Sequence, residues 1–178
     1  MWTREGQTDF VRALQRHQEM MSELYLEYAE QFPSQRDLWR RLAAVEREHA
    51  DRLSSLAAGA EDGSVRVSGQ HIEASAEILG SLGRTTYELV AAKQGGVSLD
   101  RALTVAWELE KAIMDRGWFR CFEADSPELR ALLESLDARN KDHTGELQNL
   151  VFPGCGDREA GGLPAVSADG NGSTHLNP

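Results

Sequence analysis

The sequence predicts an all-α protein in which two antiparallel helical hairpins are joined by a long crossover carrying an extra, irregular helix. Apolar residues recur at helical spacing through four long segments, and prolines or glycines separate these segments. A pattern of leucine and histidine in the second segment returns in the last one. These features favour a four-helix bundle over residues 8–150, followed by a disordered tail over residues 151–178.

Composition and charge narrow the classes of partner. The 178 residues suit one domain with a substantial core. A formal net charge of -10, with no run rich in Lys or Arg, argues against nucleic acid or an anionic membrane as the main partner. No apolar run approaches the ~20 residues that cross a bilayer, and the N-terminus lacks the apolar core of a signal peptide. We therefore expect a cytoplasmic protein that binds neither nucleic acid nor membrane.

The first hairpin is expected from a helix over residues 8–32 and a second helix over residues 35–58. One face of the first helix collects the large apolar side chains and a histidine: Phe10, Leu14, His17, Met21, Leu24 and Tyr28. Pro33 ends this helix, and Ser34 is expected to cap the next one. Because the break is short, the two helices should lie antiparallel.

The crossover begins with a glycine-rich loop over residues 59–69. Over residues 71–93 an apolar pattern continues, but Gly80 and Gly83 weaken it, so we expect an irregular helix there. Gly95 and Gly96 end this segment.

The second hairpin has clear start signals. Ser98 is expected to cap the third helix, whose inward face also brings Glu110 toward the core while Glu108 points away. Asp125-Ser126-Pro127-Glu128 begins the fourth helix, which runs to about Leu150. From Pro153 onward Gly, Ser, Asp, Asn and Pro dominate, which is typical of disorder.

A buried carboxylate and imidazole lie at the centre of the repeated pattern. Residues 42–53 read Leu-Ala-Ala-Val-Glu-Arg-Glu-His-Ala-Asp-Arg-Leu, which places Glu46 and His49 three residues apart. Residues 136–147 repeat the leucines and the histidine at the same offsets, with Asn140 in the place of Glu46 and His143 in the place of His49. At about 100° per residue these polar groups fall within the leucine stripe. Because a carboxylate there is costly unless it is satisfied, a metal ion is the natural candidate.

These residues resemble the rubrerythrin-like branch of the ferritin-like diiron carboxylate proteins, over approximately residues 8–150. The resemblance rests on the Glu-x-x-His of residues 42–53, on Leu-Tyr-Leu-Glu-Tyr-Ala-Glu-Gln-Phe-Pro at 24–33, on Ala-Trp-Glu-Leu-Glu-Lys at 106–111, and on the second histidine, His143. It implies a ferritin-like bundle that binds iron or manganese and reacts with dioxygen or peroxide. It further implies that the metal ligands are Glu46 as a bridging carboxylate, His49 and His143 as terminal nitrogen ligands, and Glu110 as the carboxylate of the third helix.

Two positions depart from the family pattern. Asn140 replaces the second bridging carboxylate, and Gln18 occupies the position seven residues before Tyr25 where the family commonly has a glutamate. Glu27, on the flank of the first helix, and His17, at the centre of its apolar face, are further candidates for the ligand shell. For His17 the sequence favours an ordinary hydrogen-bonded core histidine over a metal ligand.

The charge of the remaining carboxylates bears on the number of ions. Glu46 and Glu110 together supply two negative charges, which balance one divalent ion and leave a second one uncompensated in a core of low dielectric constant. The residues therefore favour a site reduced to one ion, or a pair of ions held weakly, of iron or manganese.

A metal-free interpretation remains open beside this one. The same polar residues can form a buried hydrogen-bond network, because amides hydrogen-bond their neighbours without a cation. The protein would then be a non-catalytic helical module for assembly or partner binding. In either case we expect a homodimer, and Trp107 and Trp118, turned away from the bundle centre, are candidates for a contact with the crossover or with a second subunit. The chain has no Cys-x-x-Cys pair, so an oxidoreductase would need a separate electron donor.

Overall fold

The computed structural model describes residues 3–67 and 74–153, and within them it is almost entirely helical. The elements in chain order are α1 (Arg4–Gln31), a 3₁₀ turn (Pro33–Gln35), α2 (Arg36–Asp62), β1 (Val65–Val67), α3 (Ala74–Lys93), α4 (Leu99–Arg116), β2 (Phe122–Ala124) and α5 (Pro127–Val151). This confirms the all-α class. The third and fourth helices of the sequence prediction are α4 and α5, and the expected tail lies outside the described residues from 154 onward.

The first hairpin forms with shifted boundaries. α1 begins at Arg4, four residues earlier than expected, because the side chain of Thr3 accepts a hydrogen bond from the backbone N–H of Gly6. The prediction that Ser34 caps the second helix is wrong. Pro33 opens a 3₁₀ turn instead, the hydroxyl of Ser34 donates to Gln35 Oε1 at 2.6 Å, and α2 follows with no side-chain cap.

α2 is one turn longer than the sequence suggested, because Gly59 is a packing glycine rather than a loop glycine. The helix continues to Asp62 and ends at Gly63, whose φ of 88° lies in the left-handed region. A Cβ on Gly59 would lie 2.7 Å from Cγ2 of Val65 in β1, so only glycine lets the following strand approach this closely.

The two short strands were not predicted. β1 and β2 pair antiparallel, with Val65 opposite Ala124 and Val67 opposite Phe122. Arg66 adds two hydrogen bonds to the carboxylate of Asp125 beside the ladder. Three-residue strands carry too little alternation to stand out in a sequence, yet this pair ties the end of α2 to the start of α5.

α3 is a regular helix where an irregular one was expected. Gly80 and Gly83 would place a Cβ in open space, so these glycines lower the helix propensity without marking a kink. The helix packs against α1, and Gln31 of α1 donates a 2.6 Å hydrogen bond to the carbonyl of Ala92. Residues 71–73, the expected start of this segment, lie outside the described residues.

The core forms where α1 packs on α2 and where α4 packs on α5. All six residues of the predicted α1 face are buried, as are Ala102, Ala106, Leu109 and Ile113 of α4. Among the helices of the described ranges, none combines the length and hydrophobicity that a bilayer-spanning segment requires.

Trp118 does not offer the surface contact that the helical wheel suggested. α4 ends at Arg116, and Gly117 adopts a φ of 61°, in the left-handed region. Helical periodicity therefore stops before Trp118, which turns inward and is fully buried. Its ring meets the His17 ring edge-on at a centroid distance of 5.6 Å. Trp107 is half-buried and packs against Phe152.

Candidate metal centre

Four helices bring the predicted polar residues into the core. α1 supplies His17 and Gln18, α2 supplies Glu46 and His49, α4 supplies Glu110, and α5 supplies Asn140 and His143. All are buried except His143, which keeps 13% of its side-chain surface exposed. Each of these polar residues occupies a position on the apolar face of its helix, and it is buried because that face packs against the core.

Glu46 lies at the middle of this cluster and is fully buried. Its Oε2 is 3.4 Å from Nδ1 of His49, and its Oε1 is 3.6 Å from Nδ1 of His143. The two imidazoles therefore approach different oxygens of one carboxylate. Glu46, Glu110 and His143 each offer one ligand atom, and these three atoms all lie within 4.8 Å of one another.

This spacing nearly fits a single metal ion. Oxygen and nitrogen ligands lie about 2.0–2.2 Å from such an ion, so two of them are at most about 4.4 Å apart. Side chains holding an ion here need to close in by a few tenths of an ångström. Carboxylate oxygens and imidazole nitrogens together are ligands that iron and manganese accept.

Several polar atoms of the group lack a hydrogen-bond partner among the described residues. They are both carboxylate oxygens of Glu46, Oε2 of Glu110 and Nδ1 of His143. Leaving a buried polar atom unsatisfied costs about 1–3 kcal/mol, and more for a charged group. A bound cation would satisfy the carboxylate oxygens and the imidazole nitrogen at once.

The pKa values of the two carboxyl groups are shifted in opposite directions. Burial and the charge of Glu46 raise the pKa of Glu110 well above its usual range, although the hydroxyl of Tyr25, 3.0 Å from Oε1, opposes this shift. Burial also raises the pKa of Glu46, but the charge of His49 and the contacts with His143 and His49 outweigh it and lower this pKa to about 2. Without a cation, Glu46 is therefore the ionised member of the pair and Glu110 the protonated one.

Gln18 and His17 form a hydrogen-bonded row that leads away from Glu46. Gln18 places Oε1 3.3 Å from Nδ1 of His49 and Nε2 3.3 Å from Nδ1 of His17. Since an amide nitrogen only donates, Nδ1 of His17 accepts, and its Nε2 donates to the hydroxyl of Ser81 at 2.9 Å. His17 is thus satisfied by α3 and is separated from Glu46 by Gln18 and His49.

Asn140 and Glu27 have other partners. Asn140 Nδ2 donates to the carbonyl of Glu110 at 3.1 Å and to Thr144 Oγ1 at 3.2 Å, which leaves Oδ1 without a hydrogen bond among the described residues. Glu27 is half-buried and accepts a hydrogen bond from Gln31 at 3.3 Å, at the end of α1 that contacts Ala92. The three-residue group around Glu46 does not include it.

Sequence reasoning missed two features of this centre. Tyr25 served only as a marker for Gln18, yet its hydroxyl is the hydrogen-bond donor to Glu110. Ser81, the partner of His17, belongs to a segment that was expected to be irregular. The buried position of Tyr25 beside the leucines of α1 hinted at a polar partner, because a buried tyrosine hydroxyl usually finds one.

No protein-family model, curated protein or solved structure matches this chain. The resemblance to rubrerythrin-like proteins therefore stays a prediction from the sequence.

Proposed function

We propose that this protein is a ferritin-like, rubrerythrin-type bundle whose core holds one divalent ion of iron or manganese between α2, α4 and α5. The observation that carries the proposal is the group of Glu46, Glu110 and His143, whose ligand atoms lie within 4.8 Å of one another and include buried atoms without hydrogen-bond partners. His49, 3.4 Å from Glu46, lies outside this three-residue group and is the fourth candidate ligand of the proposal.

Charge balance supports one ion rather than two. The carboxylates of Glu46 and Glu110 neutralise a single divalent ion in a region that excludes solvent. A second ion beside His49 would meet the neutral amide of Gln18, and one beside His143 would meet the neutral amide of Asn140. Neither amide offsets charge, so a second ion would carry an uncompensated desolvation cost.

A bound iron or manganese ion would supply one-electron redox chemistry toward dioxygen or peroxide. The side chains around it would set the conditions for binding: Glu46 is already ionised, whereas Glu110 has to release its proton. Tyr25 holds one oxygen of Glu110 in place and leaves Oε2 free to bind. Since the chain has no Cys-x-x-Cys pair, electrons would come from a separate donor.

A second candidate function is a metal-free module for assembly or partner binding. The hydrogen bonds that Glu110 receives from Tyr25 and that Asn140 donates to Thr144 satisfy part of the polar core without any ion. A proton on Glu110 would remove the remaining repulsion between the two carboxylates.

Metal content separates these candidates. We expect purified protein, expressed with iron and manganese supplied, to contain about one ion per chain by elemental analysis, because the two carboxylates balance one divalent charge. Glu110→Gln should lose the ion, while Glu108→Gln, on the same helix but bonded to Arg84 at the surface, should retain it.

Thermal unfolding provides an independent measure of the same site. Added Mn²⁺ at about 100 times its dissociation constant should stabilise the wild-type protein by about 2.7 kcal/mol and leave Glu110→Gln unchanged. A wild-type protein that contains no metal and does not respond to added metal would rule out this function and favour the metal-free module.

A further inference from the structure

α2 and α5 are joined across the candidate centre by three polar contacts in one antiparallel register. Arg52 donates to Ser135, Glu48 pairs with Arg139, and Arg41 pairs with Glu146. Between the first and second contacts the chain advances four residues on each helix, and between the second and third it advances seven on each. Contacts spaced by three or four residues would place one more pair between the second and third contacts, and this position of the register has no polar contact among the described residues.

The skipped position falls beside two members of the metal group, because Val45 precedes Glu46 on α2 and Asp142 precedes His143 on α5. The same register brings Val45 to the level of Asp142, and no ion pair crosses between the two helices there among the described residues. Val45 is half-buried, and His143 is 13% exposed whereas Glu46 is 0% exposed. We call this opening, formed by Val45, Asp142 and His143, the α2–α5 window.

Buried side chains lie against the centre from α1 and from the segment after α4. Tyr25 covers Glu110 from α1, and Gln18 covers His49 from the same helix. The buried ring of Phe119 meets the ring of His49 edge-on at a centroid distance of 5.7 Å. Tyr25 and Gln18 are both 0% exposed and Nδ1 of His143 is itself buried, so the 13% of the His143 side chain that remains exposed marks where the group comes nearest to solvent.

Resting on the proposed function, we propose that divalent cations enter and leave the centre through the α2–α5 window, with His143 as the first ligand they meet. Asp142 is exposed and has no ion pair among the described residues, so its carboxylate attracts cations to the opening. Val45 sets the width of the window, and the flanking pairs Glu48–Arg139 and Arg41–Glu146 fix the distance between the helices on either side.

The test measures the rates of Mn²⁺ uptake and of Mn²⁺ release to an excess of chelator in the full chain. Val45→Ala should raise both rate constants by about threefold or more, equivalent to roughly 0.6 kcal/mol in the barrier, and Val45→Phe should lower both. The dissociation constant should stay constant, because a change in the barrier alone alters both rates equally. Leu38→Ala is the matched control, since Leu38 is a half-buried residue of α2 beyond the Arg41 contact.

Asp142→Asn provides a second measurement that does not alter packing. We expect slower Mn²⁺ uptake at low ionic strength, a smaller difference at high ionic strength, and an unchanged release rate. Each rate is compared with that of Asp51→Asn, an exposed aspartate of α2 that pairs with Arg47.

The outcomes distinguish this inference from the proposed function. If the wild-type protein binds Mn²⁺ and both Val45 variants exchange it at the wild-type rates, the window is not the route. A changed dissociation constant with one rate unaltered would likewise overturn the inference, because Val45 would then act on the position of Glu46. If the wild-type protein binds no Mn²⁺, the proposed function fails and the route fails with it.

Discussion

Two buried tyrosines of α1 differ in how their hydroxyl groups are satisfied. Tyr25 donates a 3.0 Å hydrogen bond to Oε1 of Glu110, and both residues are 0% exposed. The hydroxyl of Tyr28 is also buried but has no hydrogen-bond partner among the described residues. Because a buried polar group is costly when it loses its partner, these neighbouring residues should respond in opposite ways to the same substitution.

Tyr25→Phe should destabilise the metal-free protein by about 1–3 kcal/mol, because it leaves the buried carboxyl of Glu110 without its donor. Tyr28→Phe removes a hydroxyl that has no partner, so we expect a change of less than about 0.5 kcal/mol or a small gain. Urea unfolding followed by circular dichroism measures both changes. Equal losses in the two variants would mean that the Tyr25 hydrogen bond does not stabilise the fold.

Two glycines within helices have different structural roles. Gly59 of α2 lies against Val65, where a Cβ would come within 2.7 Å of another carbon. Gly83 of α3 is exposed, and a Cβ there would have nothing within 4 Å. From the sequence alone, both glycines are expected to weaken or end a helix. In the structure Gly59 is required by packing, whereas Gly83 only lowers the helix propensity of a continuous helix.

Gly83→Ala should stabilise the protein by about 0.5–1 kcal/mol, because alanine has the higher helix propensity and restricts the unfolded chain. Gly59→Ala should instead destabilise it, since β1 must shift to admit the new methyl group. Thermal unfolding of both variants checks the prediction. A stabilising Gly59→Ala would show that the contact between α2 and β1 is loose.

The stability of the whole molecule should depend on the protonation of His17, which lies between α1 and α3. Burial lowers the pKa of His17 to about 4 from 6.5, although the charge of Glu46 opposes this shift. The unfolded chain therefore binds this proton before the folded protein does. The resulting stability is complete above pH 6.5 and is lost as the pH falls toward 4.

Replacement of His17 by Gln should flatten the stability profile of the metal-free protein between pH 6.5 and 4. The wild-type protein should lose at most about 3 kcal/mol over this interval through His17, since each pH unit corresponds to about 1.4 kcal/mol. The raised pKa of Glu110 acts in the opposite direction, so the measurement is the difference between the two proteins at each pH. Parallel urea-unfolding profiles would contradict the assignment to His17.

Much of the helical framework and part of the centre could be predicted from local sequence. Ser98 caps α4 as expected, and its hydroxyl oxygen accepts from Arg101 N at 3.2 Å. The expected start of the last helix at residues 125–128 is also confirmed, because α5 begins at Pro127 and Ser126 Oγ accepts from Leu129 N at 3.1 Å. Helical periodicity also identified Glu46, Glu110 and His143 as inward-facing residues. These features depend on residues three or four positions apart, where the geometry of one helix determines which side chains share a face.

Tertiary structure alone decided which of those groups meet. Tyr25 reaches Glu110, Trp118 turns onto His17, and Val65 pairs with Ala124. Each of these contacts joins residues far apart in the chain, so it depends on how the helices rotate and shift against one another. The periodicity of a single helix does not determine that rotation. Small shifts between packed helices therefore decide whether a buried carboxylate contacts a tyrosine, an imidazole or a cation.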